Sequence, residues 1–256
     1  MVHLYEETRV CHPVYFKAAL DDLAIHFPPS TYRNVFEPGI GSGRIAIPLA
    51  HRGYHLTGVD ISHRMLALMR RRLARANRSI HISFYVADAS YLPFPDATFD
   101  MSIAVHLFYF ISGWQKAADE MLRVVKPGYP LVFMHTGTGM EVPLLNQRYK
   151  ELCTEYGHHI TSTGVSSTAE VVAYFKTRGC KIKPERKHWD WTSRIKLENA
   201  LDYLKSRAYS FTLSAPDNIH YPVIEHLTWE IQQKYGSLAH RINVPNRIYY
   251  MVAIRP

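Results

Sequence analysis

The stretch Val35-Phe36-Glu37-Pro38-Gly39-Ile40-Gly41-Ser42-Gly43-Arg44 constrains the fold more than any other part of this sequence. An apolar run ends in a carboxylate, three glycines follow at alternate positions, and a helix-like segment opens behind them. Strand, glycine turn and helix, in that order, let backbone approach a ligand closely at a helix N-terminus. The order predicts an open α/β sheet with a nucleotide-type ligand at the carboxyl end of a strand. The spacing departs from the dinucleotide fingerprint, which asks for glycine or alanine where Arg44 stands. Glu37 also puts negative charge where a pyrophosphate would lie, so the turn suits a ligand that carries positive charge instead.

Two later acids sharpen the reading. His55-Leu56-Thr57-Gly58-Val59-Asp60 reads as a second strand ending in an acid, with Ser62 placed to cap the next helix. An acid about 20 residues past the glycines is placed to take both hydroxyls of a ribose. Ile82-Ser83-Phe84-Tyr85-Val86-Ala87-Asp88 reads as a third short strand. Asp88 is placed to accept from an adenine amino group, with the Ala89 N–H beside the ring. Capping a helix or turn is the competing role for Asp60 and Asp88. Three acid-ended strands in succession are nevertheless far more specific than any one acid.

These motifs resemble those of the class I S-adenosylmethionine-dependent methyltransferases. Glu37-Pro38-Gly39-Ile40-Gly41-Ser42-Gly43 looks like the family's first motif, Gly58-Val59-Asp60-Ile61-Ser62 its second and Ala87-Asp88-Ala89 its third. Leu92-Pro93-Phe94-Pro95-Asp96-Ala97-Thr98-Phe99-Asp100 resembles the bridge into strand four. Leu122-Arg123-Val124-Val125-Lys126-Pro127-Gly128 resembles the turn before strand five, with Tyr129 in place of a second glycine. The likeness covers roughly residues 30 to 136 and is nearest to the small-molecule subgroup that includes the ubiquinone and menaquinone methyltransferases.

The resemblance implies roles. Glu37 would sit near the methionine amino end, with Gly39, Ile40 and Gly41 letting backbone come close. Asp60 would bind the ribose, with Ile61 against one adenine face and Asp88 with Ala89 at the adenine edge. Val105 and His106, ending strand four, would face the methionine moiety. Arg9, with Tyr5, is similar to an N-terminal motif that closes over the cofactor. The implied cofactor is S-adenosylmethionine, leaving S-adenosylhomocysteine, with no metal. The implied reaction is in-line displacement of the methyl onto a small-molecule acceptor, which positioning alone accelerates strongly. Acceptor-side candidates are His106, Tyr109 and His135, after strands four and five. For each histidine a hydrogen-bonded structural role competes, because the chain holds 15. An RNA or protein methyltransferase, a nicotinamide-dependent oxidoreductase and a non-catalytic cofactor-binding protein are the alternatives. Arg44 and the three acids oppose the oxidoreductase.

The rest of the sequence predicts a doubly wound, mostly parallel seven-stranded sheet with an antiparallel last strand and a small helical cap. The cofactor domain is expected over 1–195 and 241–256, and an inserted cap over 196–240. A helix is expected over 13–27. Another, over 43–51, would be kinked at Pro48. A sixth strand is expected over 181–191 and a final one over 247–254. With 47% hydrophobic residues the chain is not disordered. Neither a leader at Met1 to Arg9 nor an apolar run of membrane-spanning length is legible, and the three cysteines, Cys11, Cys153 and Cys180, read as reduced thiols, so a cytoplasmic protein is expected. His158-His159 lacks a third metal ligand at proper spacing. The net charge is +8, and its densest cluster is Arg64, Arg70, Arg71, Arg72, Arg75 and Arg78. Met65, Leu66, Met69 and Leu73 recur beside them at helical spacing, so the arginines are expected on a solvated helix face rather than on an RNA-binding surface.

Overall fold

Apolar runs that end in turn residues build the centre of this protein. A computed structural model describes residues 12–75, 80–137, 142–161, 163–183 and 187–256. In chain order the elements begin with α1 (Pro13–His26), β1 (Asn34–Pro38), α2 (Ala46–Ala50), β2 (His55–Asp60), α3 (His63–Leu73) and β3 (His81–Val86). They continue with β4 (Met101–Val105), α4 (Trp114–Val124), β5 (Pro130–Thr136), α5 (Pro143–Glu155), α6 (Thr168–Thr177) and β6 (Lys181–Lys183). The last are β7 (His188–Lys196), α7 (Leu197–Lys205), α8 (Asp217–Tyr235) and β8 (Arg241–Ile254).

The chain divides into two compact units. One is α/β and comprises Phe16–Thr136, Gly164–His188 and Ile248–Pro256. The other is mainly helical and comprises Gly137–Thr163 and Trp189–Arg247, with the chain up to Tyr15. It therefore takes in more than the segment 196–240.

In the α/β unit the strand order is β3-β2-β1-β4-β5-β8-β6. Strands β1 to β5 pair in parallel. β8 runs antiparallel to β5, from Pro130↔Ile254 to Thr136↔Ile248, and β6 pairs antiparallel with β8. This is the doubly wound sheet with an antiparallel last strand that the motif order predicts. Residues of β4 and β5 are buried almost without a break, as a sheet covered on both faces requires.

Two of the motifs turn out to be bolts. Arg123 donates to the carbonyls of Leu92 (3.2 Å) and Phe94 (2.8 Å), to Asp96 (2.7 Å) and to Glu120 (2.7 Å). Lys126 Nζ donates to Asp100 Oδ1 at 2.6 Å, while Asp100 Oδ2 accepts from the Asn34 N–H at 2.8 Å. The bridge at 92–100 and the turn at 122–128 thus lock together and fix β4 beside β1.

Two elements differ from expectation. The helix expected over 43–51 begins only at Ala46, because Gly41 and Gly43 take positive φ in the preceding turn. Pro48 interrupts the ladder there: the Ile47 N–H donates to the Gly43 carbonyl at 3.0 Å and the Leu49 N–H to the Ile45 carbonyl at 3.1 Å, while Pro48 between them has no N–H to offer Arg44. The sixth strand splits. Lys181–Lys183 stays with the parallel-sheet unit, whereas β7 pairs with β8.

The helical unit has its own core. Leu145, Tyr149 and Leu152 of α5 pack with Leu201 of α7 and with Leu227 and Ile231 of α8. Spacings of three, four and seven put them on single helix faces. Each such burial contributes about 1.5–3 kcal/mol. Among the described residues no helix is long and apolar enough to cross a membrane.

Candidate functional site

The glycine turn after β1 is shaped by close approach. At Gly43 φ is +79°, and an added Cβ would lie 2.1 Å from Met69 Sδ of α3. At Gly39 φ is +69°, and a Cβ would lie 2.7 Å from Leu107 Cδ1, so the turn rests against the residues that follow β4. Only glycine meets both demands. Asp60 closes the other side. Its Oδ2 accepts from the Gly41 N–H at 2.9 Å and its Oδ1 from the Ser62 N–H at 2.8 Å. Ser62 in turn caps α3, accepting from the Met65 N–H at 3.3 Å. Burial nevertheless pushes the Asp60 carboxyl above its ordinary range, against these two hydrogen bonds. Each Asp60 oxygen keeps a second lone pair, so tying the turn leaves acceptors for a ligand hydroxyl pair.

Glu37 lies beneath this turn and is 3% exposed. Its Oε2 has no hydrogen-bond partner among the described residues. Burial pushes its carboxyl well above the usual range; Arg44 opposes that shift and Asp60 adds to it. An orphaned buried carboxylate oxygen is costly, and a cationic N–H donor relieves the cost.

Next along the sheet, Ile61 is 72% exposed directly after Asp60, a bare apolar surface at the mouth of the turn. Asp88 Oδ1 accepts from the Ser90 N–H at 2.8 Å, and Ala89 is buried. Asp88 therefore caps its own turn while holding a place at the end of β3. Arg9 and Tyr5 lie outside the described residues.

Val105 is half-buried at the end of β4, and His106 takes the left-handed conformation, φ +55°. That is a strained choice for a non-glycine residue. The Thr136 backbone nitrogen lies 3.1 Å from His106 Nε2, and Thr136 Oγ1 stands 3.0 Å from the same nitrogen. Thr136 O, which only accepts, also lies 3.0 Å from it, so Nε2 is placed either to accept from the Thr136 N–H or to donate to its carbonyl, and these contacts fix the ring's position rather than its tautomer. Arg44 Nη2 also donates to Thr136 Oγ1, at 3.3 Å.

The other two acceptor-side candidates meet residues that sequence reasoning missed. The Tyr109 hydroxyl is 3.2 Å from Thr168 Oγ1, and the Tyr249 hydroxyl donates to the same atom at 3.3 Å. The His135 ring stacks on Tyr249 (centroids 5.1 Å apart) and meets the edge of His106 at 4.9 Å. His106, Tyr109, His135 and Thr168 line a cavity of about 30 Å³, room for about two waters. Tyr249 had a signal: it lies on the face of β8 opposite the Ile248, Tyr250 and Val252 alternation. Thr168 and Thr136 carried none.

The turn, the bare isoleucine and the three acids define an α/β domain built to hold a nucleoside whose tail carries positive charge. The orphaned oxygen of Glu37 and the glycine cradle fit S-adenosylmethionine, whose methionine end bears an ammonium beside a sulfonium. Among the described residues no cluster of three metal-ligating side chains occurs.

Comparison with known proteins agrees. Residues 36–133 match the family model described as a methyltransferase domain. A demethylmenaquinone methyltransferase of Clavibacter sepedonicus is 36% identical over 122 residues, 47% of this chain and 48% of that protein. One of Thermus thermophilus is 36% identical over 115 residues, 44% of this chain and 50% of that protein. The chain spans about half the length of these curated relatives. Among solved structures, the YcgJ protein of Bacillus subtilis superposes with a TM-score of 0.62 at 18% identity, covering 93% of this chain and 98% of that one. A Haemonchus contortus phosphoethanolamine N-methyltransferase complexed with S-adenosylhomocysteine gives 0.57 at 18% identity, covering 100% and 57%. Over residues 36–133 the chain is thus similar to a methyltransferase domain, the likeness that its strand-end motifs imply.

Proposed function

We propose that this protein transfers a methyl group from S-adenosylmethionine to a small-molecule acceptor. The observation that carries the reading is the buried Glu37 carboxylate with an oxygen that no described residue satisfies. S-adenosylmethionine supplies an electrophilic methyl on sulfur. In this reading Glu37 receives the methionine ammonium, the turn at Gly39 to Gly41 admits its backbone, and Asp60 takes the ribose hydroxyls. Ile61 covers one adenine face, and Asp88 with Ala89 addresses the adenine edge. Val105 and His106 bound the methionine end. The protein's contribution is alignment and water exclusion, which together lower a barrier by about 7–11 kcal/mol. Tyr109, Tyr249 and Thr168 offer hydroxyls toward the acceptor, and His106 and His135 are the imidazoles beside it for any proton it must lose.

Relatives named for menaquinone, phosphatidylethanolamine and sterol acceptors support a small-molecule acceptor over RNA or protein. The helical unit, and within it the segment 196–240, is the part proposed to choose that acceptor. Calorimetry with S-adenosylhomocysteine tests the core of the reading. Asp60→Ala is expected to weaken binding by more than about 1.5–3 kcal/mol, because one carboxylate holds two hydroxyls and the turn. Unchanged affinity removes Asp60 from the site, and absence of binding by the native protein removes the proposal.

A further inference from the structure

Several arginines elsewhere in the chain find carboxylates: Arg52 with Asp21, Arg123 with Glu120, Arg148 with Glu230 and Arg178 with Asp119, each at 2.7 Å. Helix α3 is different. Arg64, Arg70, Arg71 and Arg75 are exposed on it and just beyond it, and no carboxylate among the described residues pairs with any of them. Not one acidic residue occurs in the sequence between Asp60 and Asp88. Arg72 alone turns inward, its Nη1 donating to Ser42 Oγ of the glycine turn at 3.2 Å.

A further cation, Arg33, stands at the amino ends of the neighbouring strands beside two histidines. Arg33 Nε donates to His55 Nε2 at 3.1 Å, and the His55 and His81 rings, paired in register on β2 and β3, are 4.4 Å apart. Arg70 connects the two groups, its guanidinium 5.5 Å above the Phe84 ring of β3. Like charges gathered without a counter-charge repel, and a phosphate-dense surface removes that repulsion.

We infer that α3 and the adjoining strand ends form a docking surface for the anionic face of a phospholipid bilayer. The exposed positions of α3 are His63, Arg64, Ala67, Arg70 and Arg71. Only His63 among them carries a ring and none carries an amide, a thin set for stacking on and reading bases, whereas the guanidinium forks match phosphate oxygens. They also lack an apolar wedge, so attachment is electrostatic, reversible and salt-sensitive. Arg33, His55 and His81 stand at the strand ends opposite Glu37 and Asp60, so this surface anchors the protein and does not feed the acceptor.

The test is co-sedimentation of the full chain with phosphatidylcholine vesicles, with and without phosphatidylglycerol. At least about tenfold tighter binding to the anionic vesicles is expected, falling steeply with added salt. R64Q/R70Q/R71Q/R75Q is expected to bind both vesicles alike while keeping its affinity for S-adenosylhomocysteine. The ion-paired control Arg178→Gln is expected to bind as the native chain does. R64Q/R71Q serves if the fourfold variant does not fold. Equal native binding to neutral vesicles, or full binding by the variants, overturns the inference. So does a native chain that ignores vesicles but binds RNA through the same arginines.

Discussion

Glu37→Gln separates stability from binding in this protein. The Glu37 carboxylate is 3% exposed, and one oxygen has no hydrogen-bond partner among the described residues. An unsatisfied buried group costs about 1–3 kcal/mol, more when charged. The amide is isosteric and neutral, so it is expected to stabilise the free protein by about 1–2 kcal/mol, a rise of roughly 2–8 °C in melting temperature. The gain depends on pH. Because the folded carboxyl is held above the ordinary value, the native chain is most favoured with Glu37 protonated, near or below pH ~4.3. It loses that contribution as pH rises through the raised value. The advantage of the amide variant therefore opens above the ordinary carboxylate range and is complete once pH has passed the raised value. Binding moves the other way. Loss of a charge-assisted hydrogen bond to the methionine ammonium costs about 1.5–3 kcal/mol, or about 10- to 150-fold in affinity for S-adenosylhomocysteine. Melting curves without ligand, with calorimetry on the same samples, read both signs. A variant that melts lower than the native chain and binds as tightly refutes the reasoning at both points.

Gly43→Ala forces a Cβ onto Met69 Sδ at a positive φ. The expected loss of about 2–5 kcal/mol combines left-handed strain with overpacking, and urea denaturation indistinguishable from the native curve would show that the turn is free to shift. His220 is fully buried, with Nδ1 2.6 Å from the Tyr149 hydroxyl and Nε2 3.1 Å from the Lys205 carbonyl. Burial holds its pKa down, so its stabilising contribution is present above pH ~6.5 and drains away as pH falls through the lowered value. Denaturation at a series of pH values checks this, and an identical profile in His220→Gln would assign the pH dependence elsewhere. Thr168→Val strips the partner from the Tyr109 and Tyr249 hydroxyls and is expected to cost about 1–3 kcal/mol of stability. Its affinity for S-adenosylhomocysteine should stay unchanged, and a large drop would move Thr168 into the cofactor site.

The sequence by itself determined which residues gather where the cofactor is proposed to lie. Each of its acids stands directly behind its own apolar strand, and each glycine behind β1, so local order fixes which residues arrive together at one end of the sheet. The arginine and lysine of the 122–128 turn were legible as a motif, but not as bolts, because Asp96 and Asp100 lie about a helix away in sequence. Tertiary structure decided the acceptor side. His135 meets Tyr249 only through the antiparallel register of β5 and β8, and Thr168 joins them from the start of α6, a juxtaposition no short-range pattern encodes. His106 shows the same limit. Its place after β4 could be read from the chain, whereas its contacts with Thr136 on the neighbouring strand could not. Local spacing specifies which groups a strand end presents, and long-range pairing specifies what those groups touch, which settles their charge and their chemistry.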